Sequence, residues 1–250
     1  MNKLKKRLAA GEACIGAWSS VASIAVAEAM MTCGFDWIAV DFEHGTASVD
    51  QAHGVFVAAE RHGVTAMARL SSADPILARR LLDAGAEGLI VPVVEDADAF
   101  AEFVSHCYYP PQGRRGVGLP RSTRWGDRFD EYFSNFKPVI VPQIETLAGV
   151  EAADALARMP EVDALFLGPY DLSADMGRPG DFSNDAFRDA VSRVMAVCID
   201  KGKAPGIHQV KPDISELREQ LEKGFRFIAY GTDLIALRHA LMDVRTVQGD

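Results

Sequence analysis

Two polar side chains, Gln143 and Glu145, lie at the end of a short apolar run that begins with β-branched residues at 139–141. Such a run is typical of a buried strand. Residues two apart in a strand point to the same side, so this amide and this carboxylate project together from the strand end. Core packing does not require either group there, and we therefore treat both as candidate ligands.

A second apolar run, residues 162–167, leads through a Gly-Pro pair to another carboxylate, Asp171. Gly168 in that pair would permit a close approach of the backbone. If the two strands are neighbours, Glu145 and Asp171 can meet across one inter-strand spacing, about 5 Å. Two carboxylates with waters and a chelating substrate suit Mg²⁺, Mn²⁺ or Co²⁺, whereas zinc more often recruits His or Cys as well. Asp171 could also cap a short helix together with Ser173, and the two interpretations are compatible.

His44 and Arg69 are the candidate base and the candidate cation. His44 follows a buried run and stands beside Asp41 and Glu43, and an imidazole can exchange a proton near neutral pH. Arg69 ends the apolar run 64–69. A buried guanidinium needs an anionic partner, which a substrate carboxylate or an enolate oxygen would supply. The alternative is an internal salt bridge to Glu43 or Asp41.

Polar residues recur at the carboxyl ends of the predicted strands: Trp18, Asp41, Glu43, His44, Arg69, Gln143, Glu145, Asp171 and His208. In a (β/α)8 barrel the loops at that end carry the active site. Strand ends are also where polar residues ordinarily resume, which would explain any one of them. Acids, imidazoles, a guanidinium and an amide together at one end favour an enzyme.

Hydrophobic patterning predicts strands that alternate with helices. The predicted strands cover residues 14–18, 35–40, 64–69, 89–94, 139–144, 163–167, 204–208 and 225–230. The predicted helices lie near residues 2–10, 23–33, 49–62, 74–85, 96–107, 184–201, 215–223 and 233–244, with a further helix that ends near 159. Eight strand–helix units favour a closed α/β barrel, the (β/α)8 or TIM barrel. A doubly wound open sheet is the alternative, but the sequence lacks the Gly-rich phosphate loop that usually follows its first strand.

The composition limits the partners. The chain has 250 residues, 48% of them hydrophobic, and we expect one domain over residues 1–250. A net charge of −9 argues against nucleic acid or an anionic membrane as partner. No apolar stretch approaches the roughly 18 residues of a membrane span, and polar residues interrupt the run 13–31 that follows the basic N-terminus. Four widely spaced cysteines indicate reduced thiols, so we expect a cytoplasmic protein.

Residues 108–137 break the alternation of strands and helices. The segment is rich in Gly, Pro and Arg, and it is longer than an ordinary connection. Its arginines at positions 114, 115, 121 and 124 put positive charge into an acidic protein. They could guide an anionic substrate such as a dicarboxylate, or fasten a subunit interface, and the sequence favours neither.

Six short stretches, taken together and in their order along the chain, resemble the motifs of a known family. They are Asp-Trp-Ile-Ala-Val-Asp-Phe-Glu-His at 36–44, Leu-Leu-Asp-Ala-Gly-Ala at 81–86, Val-Pro-Val-Val at 91–94, Tyr-Pro-Pro-Gln-Gly-Arg-Arg-Gly-Val-Gly at 109–118, Gln-Ile-Glu-Thr at 143–146 and Gly-Pro-Tyr-Asp-Leu-Ser at 168–173. Together they resemble the class II pyruvate-dependent aldolases of the HpcH/HpaI family. Each stretch is weak alone, whereas the ordered set is specific and spans nearly the whole chain.

The resemblance implies a barrel of the phosphoenolpyruvate/pyruvate-binding type whose last helix is exchanged between subunits of a homohexamer. It also implies an aldolase that uses Mg²⁺, Mn²⁺ or Co²⁺ to cleave 4-hydroxy-2-oxo acids reversibly to pyruvate and an aldehyde. The residues suit this chemistry, because carbon–carbon cleavage leaves an enolate that a Lewis acid at the keto oxygen stabilises. The expected partners are therefore a small 2-oxo acid and an aldehyde.

The resemblance also assigns roles to the residues that hold the metal and the oxo acid. Glu145 and Asp171 would hold the metal ion, and Gln143 would touch the bound 2-oxo acid. The backbone around Tyr170 would contact the substrate carboxylate. Trp18 and Asp171 are further candidate substrate contacts, since both fall at the same end of the predicted barrel.

For the proton transfer, the resemblance makes His44 the base, directly or through a water, while Arg69 stabilises the developing enolate. Asp83 is implied as the acid that supports His44, in the family from a neighbouring subunit. His208 departs from the family pattern, in which this position near the aldehyde is often aliphatic. A histidine there indicates a more polar or smaller acceptor pocket, and it leaves open the natural aldehyde and the use of hydroxypyruvate as donor.

Three alternatives stay open at the level of sequence. A Schiff-base aldolase needs a lysine near a strand end, and Lys211 is the candidate. A related carbon–carbon or carbon–phosphorus lyase would act on a CoA ester or a phosphonate with the same metal-enolate chemistry. A non-catalytic barrel would bind a carboxylate metabolite or serve as a subunit of an assembly.

Overall fold

The computed structural model describes residues 2–244 of the chain. Within that range, eight parallel strands form a closed barrel in sequence order, with the last strand paired to the first. The strands are β1 (Cys14–Ser19), β2 (Trp37–Asp41), β3 (Thr65–Arg69), β4 (Gly88–Val91), β5 (Val139–Ile144), β6 (Ala164–Leu167), β7 (Ala204–Gln209) and β8 (Phe227–Tyr230). The predicted (β/α)8 barrel is confirmed.

Helices on the outside connect the strands. Within residues 2–244 they are α1 (Lys3–Ala9), α2 (Ile24–Met31), α3 (Val49–His62), α4 (Pro75–Ala84), α5 (Ala97–Ser105), α6 (Phe129–Asn135), α7 (Leu147–Arg158), α8 (Pro169–Asp175), α9 (Asp185–Lys201), α10 (Ile214–Lys223) and α11 (Asp233–Leu241), together with a 3-10 helix at Arg121–Gly126. None of these helices is both long and apolar enough to cross a bilayer.

Local sequence signals set the bounds of α4. Asp74 accepts hydrogen bonds from the backbone N–H groups of Ile76 and Leu77, at 2.7 and 3.3 Å, and Pro75 occupies the first helical position. Gly85 ends the helix with φ 116°, in a left-handed conformation that disfavours other residues. The helix therefore begins and ends where the sequence predicts.

The barrel is filled from the inside by large rings and closed at one end by α1. Trp37 stacks on Phe227 with ring centroids 4.3 Å apart, and Phe166 meets Phe227 edge-on at 5.5 Å. Leu4 and Leu8 of α1 are buried in the same interior cluster. Because apolar side chains fill this end and the middle of the barrel, a polar site is confined to the opposite end, where the strands finish.

Two of the differences between the structure and the sequence-based boundaries bear on the site and on the long segment 108–137. The prediction of a strand over 89–94 is wrong at its end, because β4 stops at Val91 and Val93 turns to φ 51°. The segment 108–137 contains α6 and the 3-10 helix, which patterning did not predict. The start of α6 has no side-chain cap, and its rings are held by tertiary contacts such as the stack of Phe133 on Tyr109, at 4.8 Å.

Candidate active site

Asp41 and Arg69 form a buried ion pair at the carboxyl ends of β2 and β3. The two residues are register partners on adjacent strands, and Arg69 donates from Nε and Nη2 to the two Asp41 oxygens, each at 2.8 Å. Trp18, at the end of β1, adds a hydrogen bond from Nε1 to Asp41 Oδ2 at 3.1 Å. The bidentate geometry fixes the guanidinium plane at the barrel mouth.

Asp41 also orders the turn that carries the candidate base. Its Oδ1 accepts the backbone N–H groups of Glu43, at 3.0 Å, and His44, at 3.3 Å. Burial alone would raise the pKa of the Asp41 carboxyl, but the hydrogen bonds and charge of Arg69 outweigh it and leave the pKa below its ordinary value. The side chain of His44 is exposed at the rim of the mouth.

A third residue, Glu43, shares the guanidinium. Arg69 Nη1 lies 2.5 Å from Glu43 Oε2, so the predicted alternative of an internal salt bridge is confirmed for both acids. Burial raises the pKa of Glu43, and the negative charges of Asp41 and Asp171 add to that effect, although Arg69 and His44 oppose it. Arg69 is therefore already held in place before any substrate arrives.

Glu145 is a buried carboxylate at the end of β5. Its Oε1 accepts the backbone N–H of Val93 at 2.7 Å, and its Oε2 accepts a hydrogen bond from Gln143 Nε2. Gln143 Oε1 is buried and accepts no hydrogen bond from the described residues. The predicted side-by-side projection of Gln143 and Glu145 is confirmed, and it leaves one buried amide oxygen available to a ligand.

Gly168 allows the backbone of the neighbouring strand end to approach this pair. A Cβ at this position would lie 2.6 Å from Glu145 Oε2 and 3.0 Å from Gln143 Nε2. Any larger residue would therefore displace the carboxylate, which agrees with the close approach expected from the sequence.

Asp171 lies in the first turn of α8, where its carboxylate is exposed to the mouth. The helix is capped by Gly168 without a side-chain bond, so the predicted capping role of Asp171 is wrong. Burial, helped by the charges of Glu43 and Asp171, raises the pKa of Glu145 to about 7 against the lowering effect of the hydrogen bonds from Val93 and Gln143.

The two carboxylates fit a hard divalent cation. A cation would neutralise the repulsion between Glu145 and Asp171, and the donor set consists of oxygens, which Mg²⁺ and Mn²⁺ prefer. Within residues 2–244 no group of three or more His, Cys, Asp or Glu side chains forms a ready-made metal cage. A bound ion would therefore complete its coordination with waters and substrate oxygens, as the sequence predicts.

His208 lies at the mouth on β7 and packs against aromatic rings. Its ring centroid is 4.5 Å from that of Trp18 and 6.2 Å from that of Phe166. Burial, helped by the positive charge of Arg69, lowers the pKa of His208 to about 4. Its Nε2 atom has no hydrogen-bond partner among the described residues, so it presents a neutral polar edge.

A cavity of about 600 Å³ extends outward from the mouth. His208, Tyr170 and Lys211 line it, together with the apolar rings of Phe182 and Phe187. Tyr170 is 47% exposed and meets Phe182 edge-on at 5.1 Å. Lys211 is exposed in the loop after β7, whereas a Schiff-base lysine is typically desolvated in an apolar pocket or placed beside another cation.

A family model described as HpcH/HpaI aldolase/citrate lyase matches residues 14–240. The chain belongs to this family. The HpcH/HpaI family is one of carbon–carbon lyases that generally depend on a divalent metal ion, and the predicted resemblance is confirmed.

Named relatives cover almost the whole chain. The hydroxypyruvate/pyruvate aldolase of Chromohalobacter salexigens is 35% identical over 237 residues, which are 93% of this chain and 92% of the relative. The 5-keto-4-deoxy-D-glucarate aldolase of Salmonella paratyphi C is 34% identical over 239 residues, 95% of this chain and 93% of the relative. The crystal structure of an HpcH/HpaI aldolase/citrate lyase family protein from Burkholderia cenocepacia has a TM-score of 0.90 and 33% identity, covering 98% of this chain and 100% of that one.

Asp83, the acid implied by resemblance to the HpcH/HpaI aldolases, forms no hydrogen bond with His44 within the described protomer. It lies on α4 and accepts a hydrogen bond of 2.7 Å from Arg115 Nη2. The sequence indicated Arg115 only as one of four arginines in the 108–137 segment, without this partner, and it did not indicate Val93, whose backbone N–H holds Glu145. The sequence carries no signal for either contact, because both depend on how distant segments pack.

The other arginines of the 108–137 segment lie away from the metal-binding candidates. Arg121 and Arg124 both pair with Glu60. They line a cavity of about 360 Å³ together with Lys3, which belongs to α1, and Lys137, which precedes β5. Within the protomer these two arginines are therefore at the opposite end of the barrel from Glu145. Guidance of substrate by either would have to act at the mouth of another subunit, so both predicted roles stay predictions.

Proposed function

We propose that this chain is a divalent-metal-dependent aldolase that cleaves a 4-hydroxy-2-oxo acid reversibly to pyruvate and an aldehyde. The observation that carries the proposal is the juxtaposition of the buried Glu145 carboxylate, held by Val93 and Gln143, with the exposed Asp171. Glu145 and Asp171 would hold Mg²⁺, Mn²⁺ or Co²⁺. When bound, the ion supplies Lewis acidity that favours negative charge on the keto oxygen of the substrate.

The residues around the ion bind and orient the oxo acid. Gln143 Oε1, which has no hydrogen-bond partner among the described residues, would contact the bound oxo acid. The backbone at Tyr170 would meet the substrate carboxylate. Trp18 would form the wall of the site, since its ring lies 5.2 Å from the Arg69 guanidinium carbon. Arg69 would donate to the oxygen that gains charge as the bond breaks, and it is pre-oriented for this by Asp41 and Glu43.

His44 would move the proton. In cleavage the C3–C4 bond breaks, the C4 hydroxyl proton passes to the imidazole, and C4 becomes the aldehyde carbon. The electron pair stays with the three-carbon fragment, which takes up a proton to become pyruvate. The exposed position of His44 at the rim allows this transfer, directly or through a water.

The complete site would include a second subunit. We propose that Asp83 of a neighbouring subunit supports His44 and that α11 is exchanged between subunits of a homohexamer. Within the described residues of α11 the buried residue is Asp233, whereas Leu234, Leu237 and Leu241 are 51%, 59% and 59% exposed. A helix with such an apolar surface is stabilised by packing on another chain.

His208 and the cavity beside it would receive the aldehyde. A neutral imidazole edge can donate or accept a hydrogen bond, so it suits a short hydroxylated acceptor better than an aliphatic one. A hydroxyl on C3 of the donor would meet the same polar edge, which makes hydroxypyruvate a second candidate donor.

Pyruvate release from 4-hydroxy-2-oxo acids, coupled to lactate dehydrogenase, tests the proposal. The protein is stripped of metal and then assayed with Mg²⁺, Mn²⁺ or Co²⁺ restored, alongside Glu145→Ala. The matched control is Glu151→Ala, an exposed glutamate on α7. We expect activity that vanishes on stripping, returns with metal, and is lost in Glu145→Ala alone.

Other outcomes select the alternatives. Activity that survives stripping would reject metal dependence, and borohydride trapping of pyruvate on Lys211 would then identify a Schiff-base enzyme. Turnover of a CoA ester or a phosphonate, but not of hydroxy-oxo acids, would place the same carboxylates in a related lyase. The same background rate in the parent, Glu145→Ala and His44→Ala, no faster than without protein, would mean a non-catalytic barrel.

A further inference from the structure

Arg115 is the most enclosed charged side chain of the 108–137 segment. Its side chain is 0% exposed, whereas that of its neighbour Arg114 is 54% exposed and pairs with Glu102 at the surface. The backbone N–H of Arg115 donates to Tyr108 O at 2.9 Å. Arg115 therefore turns inward from a segment whose other arginines stay near solvent.

Three aromatic rings surround the guanidinium. Its central carbon lies 4.6 Å from the ring centroid of Tyr109, 5.6 Å from that of Tyr132 and 5.4 Å from that of Phe136. Ring faces stabilise a cation, and contacts on several sides remove its freedom to rotate. The direction of the guanidinium N–H groups is thus set by packing.

Asp83 is the carboxylate that this fixed cation contacts among residues 2–244. Arg115 Nη2 donates to Asp83 Oδ1 at 2.7 Å. Asp83 itself is 29% exposed, and its Oδ2 accepts no hydrogen bond in the described part of the chain. One oxygen is therefore attached to an immobile group, while the other stays available at the surface of α4.

We propose that Arg115 is a positioning residue that orients the Asp83 carboxylate so that its second oxygen meets the partner subunit's His44. The inference rests on the proposed function, in which Asp83 supports His44 across a subunit boundary. A buried ion pair of this kind would reduce the motion of a carboxylate that must act outside its own protomer. If the ion pair served only to hold α4 against the 108–137 segment, a variant that still folds would keep its full catalytic rate.

Single variants and one double variant test the coupling between Arg115 and Asp83. Arg115→Met keeps the length of the side chain and its apolar contact with the rings. We expect it to lower kcat about 10- to 100-fold with little change in KM, and Arg115→Lys to recover part of that loss. Asp83→Asn should lower kcat at least as much as Arg115→Met does. The double variant should have the same kcat as Asp83→Asn, because Arg115 acts only through Asp83.

Arg114→Met is the matched control, since it removes the neighbouring arginine and leaves Arg115 and its three aromatic rings unchanged. An Arg115→Met enzyme with full kcat would overturn the inference, and so would losses that multiply in the double variant. If Arg115→Met does not assemble, the same comparison of two single variants and the double variant is made with Arg115→Lys and Asp83→Asn, and it tests the inference in the same way.

Mixed oligomers show on which subunit Arg115 acts. Differently tagged Arg115→Met and His44→Ala chains are co-expressed, and the doubly tagged species is assayed. A site is complete when the Arg115→Met chain supplies His44 and the His44→Ala chain supplies Asp83 and Arg115. In random mixtures this combination forms about a quarter of the sites, so activity should recover to about a quarter of the parent value. Arg115 acting within its own site would give no recovery.

The parallel mixture of Asp83→Asn and His44→Ala chains separates the inference from the proposed function. If activity recovers in the Asp83→Asn mixture but not in the Arg115→Met mixture, the role of Arg115 is rejected while the shared site is kept. No recovery in either mixture would reject the shared site itself, and with it the proposed position of Asp83.

Discussion

The Glu145 carboxylate accepts a hydrogen bond of 2.7 Å from the backbone N–H of Val93, a β-branched residue held at φ 51°. Left-handed backbone is uncommon for such residues and costs about 1–2 kcal/mol. The packing of β4 against β5 stabilises it, and the result is an N–H group aimed at a buried acid. Backbone strain located beside the candidate metal ligand agrees with a site built for binding rather than for stability alone.

Glu145→Gln should weaken Mn²⁺ binding at least about 100-fold, because the amide keeps the shape of the side chain but loses the negative charge that a hard cation requires. Isothermal titration of metal-stripped protein with Mn²⁺ measures the effect. Glu151→Gln on the surface of α7 is the matched control and should bind as the parent does. Equal affinities in the two variants would place the metal elsewhere.

The raised pKa of Glu145 predicts how the stability of the metal-free protein changes with pH. Between its ordinary value of 4.5 and about 7, the folded protein holds a proton that the unfolded chain has released. The free energy of unfolding should therefore fall as pH rises through this window, by up to about 3 kcal/mol from this group.

Urea denaturation of stripped protein at pH 4.5, 6 and 7.5 measures this decline, which Glu145→Gln should reduce. Saturating Mn²⁺ should restore the stability of the parent at pH 7.5, since the ion binds the ionised form. The same pH dependence in parent and variant would show that other groups are responsible.

Arg69→Lys should lower kcat about 10²- to 10³-fold, because an ammonium cannot form two parallel hydrogen bonds to Asp41 and also face the substrate oxygen. Steady-state kinetics of pyruvate release measure it. Arg193→Lys, at an exposed position on α9, should leave kcat unchanged. A full rate in Arg69→Lys would mean that the guanidinium serves only the ion pairs with Asp41 and Glu43.

His208 should make the protein less stable in acid. Its pKa of about 4 in the folded protein lies below the ordinary 6.5, so the unfolded chain takes up a proton first as pH falls. Stability from this group is fully present above pH 6.5 and is lost between 6.5 and 4. Thermal melts of His208→Gln should fall less between these pH values than those of the parent or of His53→Gln on α3.

The exposed leucines of α11 predict a dependence of oligomeric mass on this helix. Leu237→Glu places a charge in the apolar surface that we expect a neighbouring subunit to cover, and it should produce smaller species in light scattering. Ile199→Glu on α9 makes the same change at an isolated apolar position that is 73% exposed. An undiminished mass in Leu237→Glu would exclude this face of α11 from the interface.

The sequence predicted those features of the site that depend on residues close together in the chain. The alternation at 139–145 placed Gln143 and Glu145 on one side, and they share a hydrogen bond in the structure. Gly168 was expected to allow close approach, and in the structure a side chain at this position would collide with Glu145 Oε2. The end of β4 was predicted too far along the chain, because Val-Pro-Val-Val is β-prone although its third residue turns to positive φ.

The sequence by itself determined the alternation of eight strands with helices and the set of polar residues at the strand ends, since two- and 3.6-residue periodicities and helix caps are properties of neighbouring residues. The pairing of β8 with β1 in the folded chain decided that the sheet is a closed barrel. Only the tertiary structure decided that Arg69 pairs with Asp41, 28 residues away, and Arg115 with Asp83, 32 residues away. Those pairings depend on burial and on side-chain direction after distant segments pack, and no local pattern encodes either.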